Sequence, residues 1–197
     1  MYRTQTLKRR TGAVIALSLG MLAVVACGDD DDAVAGGVGD SPTTTTEVDD
    51  GGGEPLLVTA KDYGFEGLPT SVEVGTELAL TNVSEEEVHE IVLLKVDDAE
   101  TRPLNELLAL PEAERDAIAV FRGVTVAFPG EDAGFTDGSM TLSEPGRYVL
   151  ICTIPTGADP QAYRDAVADP EAEGPPQVDG GPPHLVNGMV AEIEVAS

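Results

Sequence analysis

Short apolar and alternating runs, each bounded by glycine, proline or acidic residues, follow one another from residue 56 to the end of the chain. Such runs are typical of β-strands, and the residues between them suit turns. The predicted strands are 56–60, 72–74, 78–81, 88–96, 124–128, 139–142, 147–152 and 189–195. About eight short strands with frequent turn signals predict an all-β protein, a Greek-key β-sandwich.

Two segments depart from this pattern and predict short helical insertions, at about 97–120 and 153–183. In the first, leucines recur at helical spacing after Pro103, and both Pro103 and Pro111 suit the first turn of a helix. We expect one or two short helices there, packed on the sandwich to cover its core. In the second, Asp159 precedes a proline and is placed to cap a helical turn.

The first 26 residues have the layout of a secretory signal, with four basic residues followed by an apolar run that ends at Ala26. The run is too short to cross a bilayer comfortably. The stretch 22–27 resembles the bacterial lipoprotein box, which implies lipidation of Cys27. A lipid on Cys27 would attach the protein to the cell membrane, facing the extracytoplasmic side. The alternative is ordinary cleavage near Ala26, with Cys27 left free.

Residues 27–53 are acidic and rich in glycine and threonine, with almost nothing to bury. This composition predicts a disordered, lipid-anchored tether. A single folded domain of 144 residues is then expected over 54–197.

The chain is strongly acidic, with a formal net charge of −25. Removing the signal takes away four basic residues and no acidic one, which leaves 36 acidic against 7 basic residues and a net charge of −29. Nucleic acid is excluded as a partner, because phosphate backbones attract lysine and arginine. This negative charge is typical of a highly soluble protein or of one from a salty or acidic habitat. The more specific alternative is that it steers a redox partner with a basic surface toward the protein.

Four residues that can bind a soft metal stand out in a chain with two histidines and two cysteines. His89 begins an apolar run, Cys152 ends a predicted strand, and His184 lies five residues before Met189. Two imidazoles, a thiolate and a weak axial thioether are the ligand signature of a blue-copper electron-transfer centre. Taken singly, each residue is as well explained as ordinary core or surface.

The order and flanking sequence of these residues resemble the cupredoxin family, the plastocyanin- and azurin-like blue copper proteins. The similar parts are Leu80-Thr81-Asn82 before His89, Pro145-Gly146-Arg147-Tyr148 before Cys152, and the pair His184 and Met189. The resemblance implies a cupredoxin-like sandwich that binds one type 1 copper ion as a monomer. His89, Cys152 and His184 would be its equatorial ligands and Met189 the axial ligand.

One departure from the family keeps other functions open. Its loops between the cysteine and the second histidine are short, whereas 31 residues separate Cys152 from His184 here. The insertion could be a lid or a docking surface, could loosen the ligand set, or could mark a lost copper site. The alternatives are therefore copper storage or delivery, and a metal-free binding module at the cell surface. Zinc is a weaker option, and no pattern of an enzyme's catalytic residues is present.

Overall fold

The computed structural model describes residues 53–171 and 174–196, which belong to one compact unit, Glu47–Ser197. The predicted signal peptide, Cys27 and nearly all of the predicted tether lie outside the described residues. The strands are β1 Leu56–Lys61, β2 Gly64–Glu66, β3 Ser71–Glu73, β4 Leu78–Asn82, β5 His89–Val96, β6 Ala119–Ala127, β7 Phe135–Gly138, β8 Gly146–Ile151 and β9 Val190–Ala196. The helices are α1 Leu104–Leu108, α2 Glu112–Ile118 and α3 Pro160–Ala168, with one 3₁₀ turn at His184–Asn187.

The strands form two sheets that enclose one core. The smaller sheet has the order β2-β1-β4, and the larger has the order β3-β9-β8-β5-β6-β7. Pairing is antiparallel except between β1 and β4 and between β3 and β9. Inward-facing residues of both sheets pack together, among them Val58 and Leu80 from the smaller sheet and Ile91 and Leu150 from the larger. The predicted β-sandwich is confirmed.

Strand β8 is covered on both faces. Tyr148 and Leu150 point into the main core, together with Cys152 just beyond the strand, because alternate residues of a strand lie on the same face. Val149 points the opposite way and packs with Val96 of β5 and Leu107 of α1 in a second apolar cluster. Helices α1 and α2 therefore cover the outer face of the larger sheet, which confirms the covering role predicted for this segment.

The predicted strand at 139–142 is wrong. Met140 and Leu142 are buried, and the amides of Leu78 and Leu142 donate to the carbonyls of Met140 and Thr76 at 3.0 and 2.8 Å. This pairing amounts to an isolated bridge between Glu77 and Thr141 rather than a strand. The strand of this region is instead β7, whose residues are all exposed and therefore gave no apolar signal. The alternation of apolar residues at 139–142 therefore reflects burial of Met140 and Leu142 and not membership of a strand.

One additional strand and the start of another strand also differ from the sequence-based expectation. Strand β2 was not predicted, because its three residues carry too short a pattern. Strand β6 begins at Ala119, inside the range assigned to the first insertion. Among the described residues, no helix combines the length and the apolar character that crossing a membrane requires.

Candidate metal centre

Three donor atoms from distant parts of the chain meet inside the domain. The Nδ1 atom of His89 lies 3.2 Å from Nδ1 of His184, and the Sγ atom of Cys152 lies 3.4 Å from the same His184 nitrogen. The ligand atoms of the three residues all lie within 4.8 Å of one another. Each of the three residues is 0% exposed. The structure thus brings together three of the four predicted metal ligands as one buried cluster.

The ends of regular elements position these side chains. His89 is the first residue of β5 and pairs in register with Ala127 of β6. Cys152 directly follows β8, and its amide donates to the Met189 carbonyl at 3.2 Å. His184 begins the 3₁₀ turn, where its amide donates to the Ile154 carbonyl at 3.0 Å. Because each ligand leaves a hydrogen-bonded element, its backbone is fixed before any metal binds.

Met189 enters the core beside the cluster and is 0% exposed. Its amide donates to the His184 carbonyl at 3.1 Å, so its backbone is bonded to both His184 and Cys152. Gly188 makes this approach possible with a φ of 102°, a left-handed conformation that suits glycine. Gly188 therefore provides the tight turn that leads from His184 to Met189 and the last strand.

The insertion 153–183 is closed at its base. The amide of Thr156 donates to the Pro182 carbonyl at 3.1 Å, and the Gly181 amide donates back to the Thr156 carbonyl at 2.8 Å. Nearer the cluster, the Leu185 amide donates to the Cys152 carbonyl at 2.8 Å. The long insertion therefore holds Cys152 and His184 together, and the sequence-based possibility that it loosens the ligand set is not what the structure shows.

Burial controls the protonation of the two imidazoles. Burial and, to a smaller extent, the charge of His184 lower the pKa of His89 to about 4, against the opposing influence of Asp62. Burial also lowers the pKa of His184, against the opposing influence of Glu87. Because the neutral imidazole is the form that binds metal ions, both rings are available as ligands at neutral pH.

The thiol is also governed by burial. Burial raises the pKa of Cys152, and the nearby carboxyl group of Glu90 raises it further. The copper-free protein therefore keeps this sulfur protonated at neutral pH. A metal ion that binds here must displace the proton, since the thiolate is the ligand form.

The buried carboxyl group of Glu90, the residue after His89, is hydrogen bonded to Thr153, the residue after Cys152. Glu90 follows His89 and accepts hydrogen bonds from the Thr153 amide at 2.9 Å and hydroxyl at 2.6 Å. Its second oxygen accepts from the Tyr163 hydroxyl of α3 at 3.2 Å. Burial raises the pKa of Glu90, and these hydrogen bonds partly offset the shift. The insertion is thus joined to the backbone beside both His89 and Cys152.

The second histidine is enclosed rather than open to solvent. The Nε2 atom of His184 lies 3.2 Å from a carboxylate oxygen of Glu87. The ring of Tyr63 packs edge-on against the imidazole, with 5.3 Å between ring centroids. Tyr63 lies in the two-residue turn between β1 and β2 with a φ of 61°, which is unusual for a residue other than glycine. This uncommon backbone conformation brings the edge of the Tyr63 ring against the buried imidazole of His184.

The donor set fits one copper ion of type 1. Two imidazole nitrogens and one thiolate, with a thioether residue alongside, are the donors of blue-copper centres. Bonds of about 2.0–2.3 Å to nitrogen and sulfur, as at zinc, place trigonal donors roughly 3.6–3.8 Å apart. The observed separations of 3.2 and 3.4 Å are close to this spacing. The Nε2 atom of His89 has no hydrogen-bond partner among the described residues, so its Nδ1 atom is the one engaged by the cluster.

Several residues around the cluster were not singled out from the sequence, namely Tyr63, Glu87, Glu90, Thr153 and Tyr163. For three of them the sequence offered a weak indication, namely their closeness to proposed ligands: Glu87 and Glu90 lie on either side of His89, and Thr153 follows Cys152. For Tyr63 and Tyr163 the sequence contained no indication, because both are far along the chain from the proposed ligand that they lie near in the fold: Tyr63 contacts His184, and Tyr163 contacts Glu90 beside His89. The predicted lipidation site, Cys27, lies outside the part of the chain that the structure describes.

No family model matches the chain, and no curated protein matches it. Solved structures similar to it include reduced auracyanin of the photosynthetic bacterium Roseiflexus castenholzii, at 18% identity, with 72% of this chain and 95% of that chain covered and a TM-score of 0.38. Auracyanin B is 18% identical over 73% and 88% of the two chains, with a TM-score of 0.35. Auracyanin A of Chloroflexus aurantiacus, a blue copper protein, is 16% identical over 72% and 98%, with a TM-score of 0.36. Similarities this low transfer no function to this chain, whose own residues have to support an assignment.

Proposed function

We propose that this protein is an electron-transfer protein that binds one type 1 copper ion and passes single electrons between redox partners. The observation that carries the proposal is the fully buried cluster of His89, Cys152 and His184. His89, Cys152 and His184 would hold the copper equatorially, and Met189 would supply the weak axial thioether. Bound copper would supply a reversible one-electron couple.

The surroundings of the cluster favour electron transfer over copper storage or delivery. All three donors are inaccessible to solvent, and Tyr63 and Glu87 enclose His184. A delivery site has to open for its ion to leave, whereas an electron-transfer site benefits from ligands that stay in place. Backbone hydrogen bonds at Cys152 and His184 provide that rigidity.

A zinc site is less well supported by the same cluster. A structural zinc ion requires a fourth cysteine, histidine or carboxylate ligand. In the described part of the chain no carboxylate joins the three donors. Glu87 contacts Nε2 of His184 rather than the Nδ1 atom that faces the other donors, and the buried carboxyl group of Glu90 accepts hydrogen bonds from Thr153 and Tyr163.

Attachment and partners form a second part of the proposal. A lipid on Cys27, followed by the acidic tether of residues 28–53, would hold the domain close to the extracytoplasmic face of the cell membrane. The excess of acidic residues suits a redox partner with a basic surface. The protein would act as a monomer without catalytic activity of its own.

The decisive test is copper binding by the chain from Glu54 onward, which contains every described strand and helix. Titration with Cu(II) is expected to produce an intense blue thiolate-to-copper absorption band and a narrow copper hyperfine splitting in electron paramagnetic resonance spectra. Tight Cu(I) binding without a reversible Cu(II) state would instead establish copper handling. A folded domain that binds neither ion would establish a metal-free binding module.

A further inference from the structure

We infer that Glu87 is a positioning residue for the copper centre: its carboxylate orients His184 and biases the site toward oxidised copper. The inference rests on the proposed copper site and extends it to a residue that does not touch the metal. Glu87 belongs to the segment between β4 and β5, two residues before His89. It is therefore a neighbour of one proposed ligand in the sequence and of the other in space.

The carboxylate of Glu87 is held by two groups from the far end of the chain. One oxygen, Oε2, lies 3.2 Å from Nε2 of His184, and the Gly157 amide donates to both oxygens at 3.1 and 3.0 Å. The Glu87 side chain is only 14% exposed. The carboxylate thus lies between the second histidine and the first turn of the insertion, with little contact with water.

The backbone of Glu87 is fixed as firmly as its side chain. Its amide donates to the Ser84 hydroxyl at 3.0 Å, and its carbonyl accepts from the Asn82 amide group at 2.8 Å. Asn82 also donates to the Ala127 carbonyl at 3.1 Å, opposite His89 in the sheet. Glu87 therefore has a rigid base from which to direct the imidazole of His184.

This contact determines which nitrogen of His184 can bind a metal. A carboxylate only accepts hydrogen bonds, so Nε2 of His184 has to carry the proton that it donates to Glu87. The lone pair then lies on Nδ1, the atom that is 3.2 Å from His89 and 3.4 Å from the sulfur of Cys152. The ligand nitrogen is consequently set in the correct tautomer before copper binds.

The same contact favours the oxidised ion. A carboxylate hydrogen-bonded to a ligand imidazole makes that imidazole a stronger donor. Its negative charge, close to the metal in a region with little water, stabilises the doubly charged ion more than the singly charged one. Removing the charge at Glu87 should therefore raise the reduction potential.

The test compares Glu87→Gln and Glu87→Ala with a matched control, Glu85→Gln, in the purified full-length chain. Glu85 is exposed and lies two residues away, so the control removes one charge from the same loop. Nitrogen-15 NMR of the copper-free proteins reports the tautomer of His184, and a redox titration of the copper-loaded proteins reports the potential. Circular dichroism melts establish that each variant is folded.

We expect wild-type His184 to carry its proton on Nε2 and Glu87→Ala to show a mixture of tautomers. Glu87→Gln should keep the tautomer of His184. It should also lower the preference for oxidised over reduced copper about tenfold, which corresponds to an increase of ~59 mV in the reduction potential for one electron. Glu85→Gln should change neither. If both Glu87 variants match Glu85→Gln in tautomer and potential, Glu87 has no positioning role.

Failure of this inference is distinguishable from failure of the copper proposal. A wild-type protein without a blue copper spectrum would contradict the proposed function, whatever the tautomer of His184 turns out to be. A wild-type protein with that spectrum, combined with unaffected Glu87 variants, would leave the function intact and overturn only the role of Glu87.

Discussion

Thr156 and Pro182 are 26 positions apart, yet the Thr156 amide and hydroxyl both donate to the Pro182 carbonyl, at 3.1 and 2.8 Å. This double contact closes the insertion directly beside the candidate metal centre. The cost of closing a loop grows slowly with its length, so a long excursion can return to the same place if its ends are bonded. The spacing between Cys152 and His184 in the sequence is therefore a poor guide to their distance in the fold.

The closed base depends on a close approach of the backbone at Gly180. A Cβ atom there would lie 2.5 Å from Cβ of Pro155 and 3.0 Å from the Thr156 carbonyl oxygen. Gly180→Ala should therefore destabilise the domain by about 1–3 kcal/mol, as overpacking does. Urea unfolding measures the loss. Gly181→Ala is the control, because its Cβ would meet ordinary contacts at 3.4 and 3.5 Å, and equal stability of the two variants would contradict the prediction.

The proposed ligands make different spectroscopic predictions. Cys152→Ala should abolish the blue absorption band, since the band arises from the thiolate. Met189→Leu should keep the band and raise the reduction potential, because leucine offers no electron pair to stabilise the oxidised ion. Visible spectra and redox titrations check both. An intense blue colour that persists in Cys152→Ala would refute the ligand assignment.

The raised pKa of Glu90 predicts a pH-dependent contribution to stability. In the unfolded chain this carboxyl group loses its proton near its ordinary pKa of 4.5, whereas the folded protein retains the proton to higher pH. Stability from Glu90 is thus fully present below pH 4.5 and is lost as pH rises, by up to about 1.4 kcal/mol per pH unit. Urea unfolding of copper-free wild type and Glu90→Gln between pH 4 and 8 should show their free energies of unfolding diverging accordingly. Parallel curves would mean that Glu90 ionises normally.

Tyr63 should control access to His184. Glycine adopts a positive φ without steric cost, so Tyr63→Gly should keep the turn and remove the ring that packs on the imidazole. We expect a Cu(I) chelator to extract copper several-fold faster from this variant than from wild type, as followed by stopped-flow absorption. Tyr63→Phe keeps the ring and should match wild type. Unchanged extraction from Tyr63→Gly would show that Tyr63 is not a barrier.

Three of the four proposed ligands could be located from the sequence because each lies next to a strand with a clear apolar pattern. His89 begins β5, Cys152 follows β8, and Met189 precedes β9. The sandwich followed from the same runs. The prediction was wrong at stretch 139–142, where buried side chains alternate but the backbone pairs only as far as an isolated bridge.

The residues that surround the ligands could not be predicted in this way. The contact between Glu87 and His184 joins positions 97 apart, and that between Glu90 and Tyr163 joins positions 73 apart. Such contacts depend on the path of the insertion across the domain, for which hydrophobic periodicity gives no information. Glu90 lies in β5, and the apolar run around it did not indicate that a carboxyl group at this position is almost completely buried.

Because the insertion 153–183 is closed at its base, its residues are under two different structural constraints. Positions at the base, such as Thr156 and Gly180, have to satisfy a fixed backbone geometry. Residues 174–177 make no hydrogen bond to this base, whereas Val178 packs against the main core. A protein engineer could accordingly replace residues 174–177 with new recognition sequences, which would be presented on the same insertion that holds two of the proposed copper ligands together.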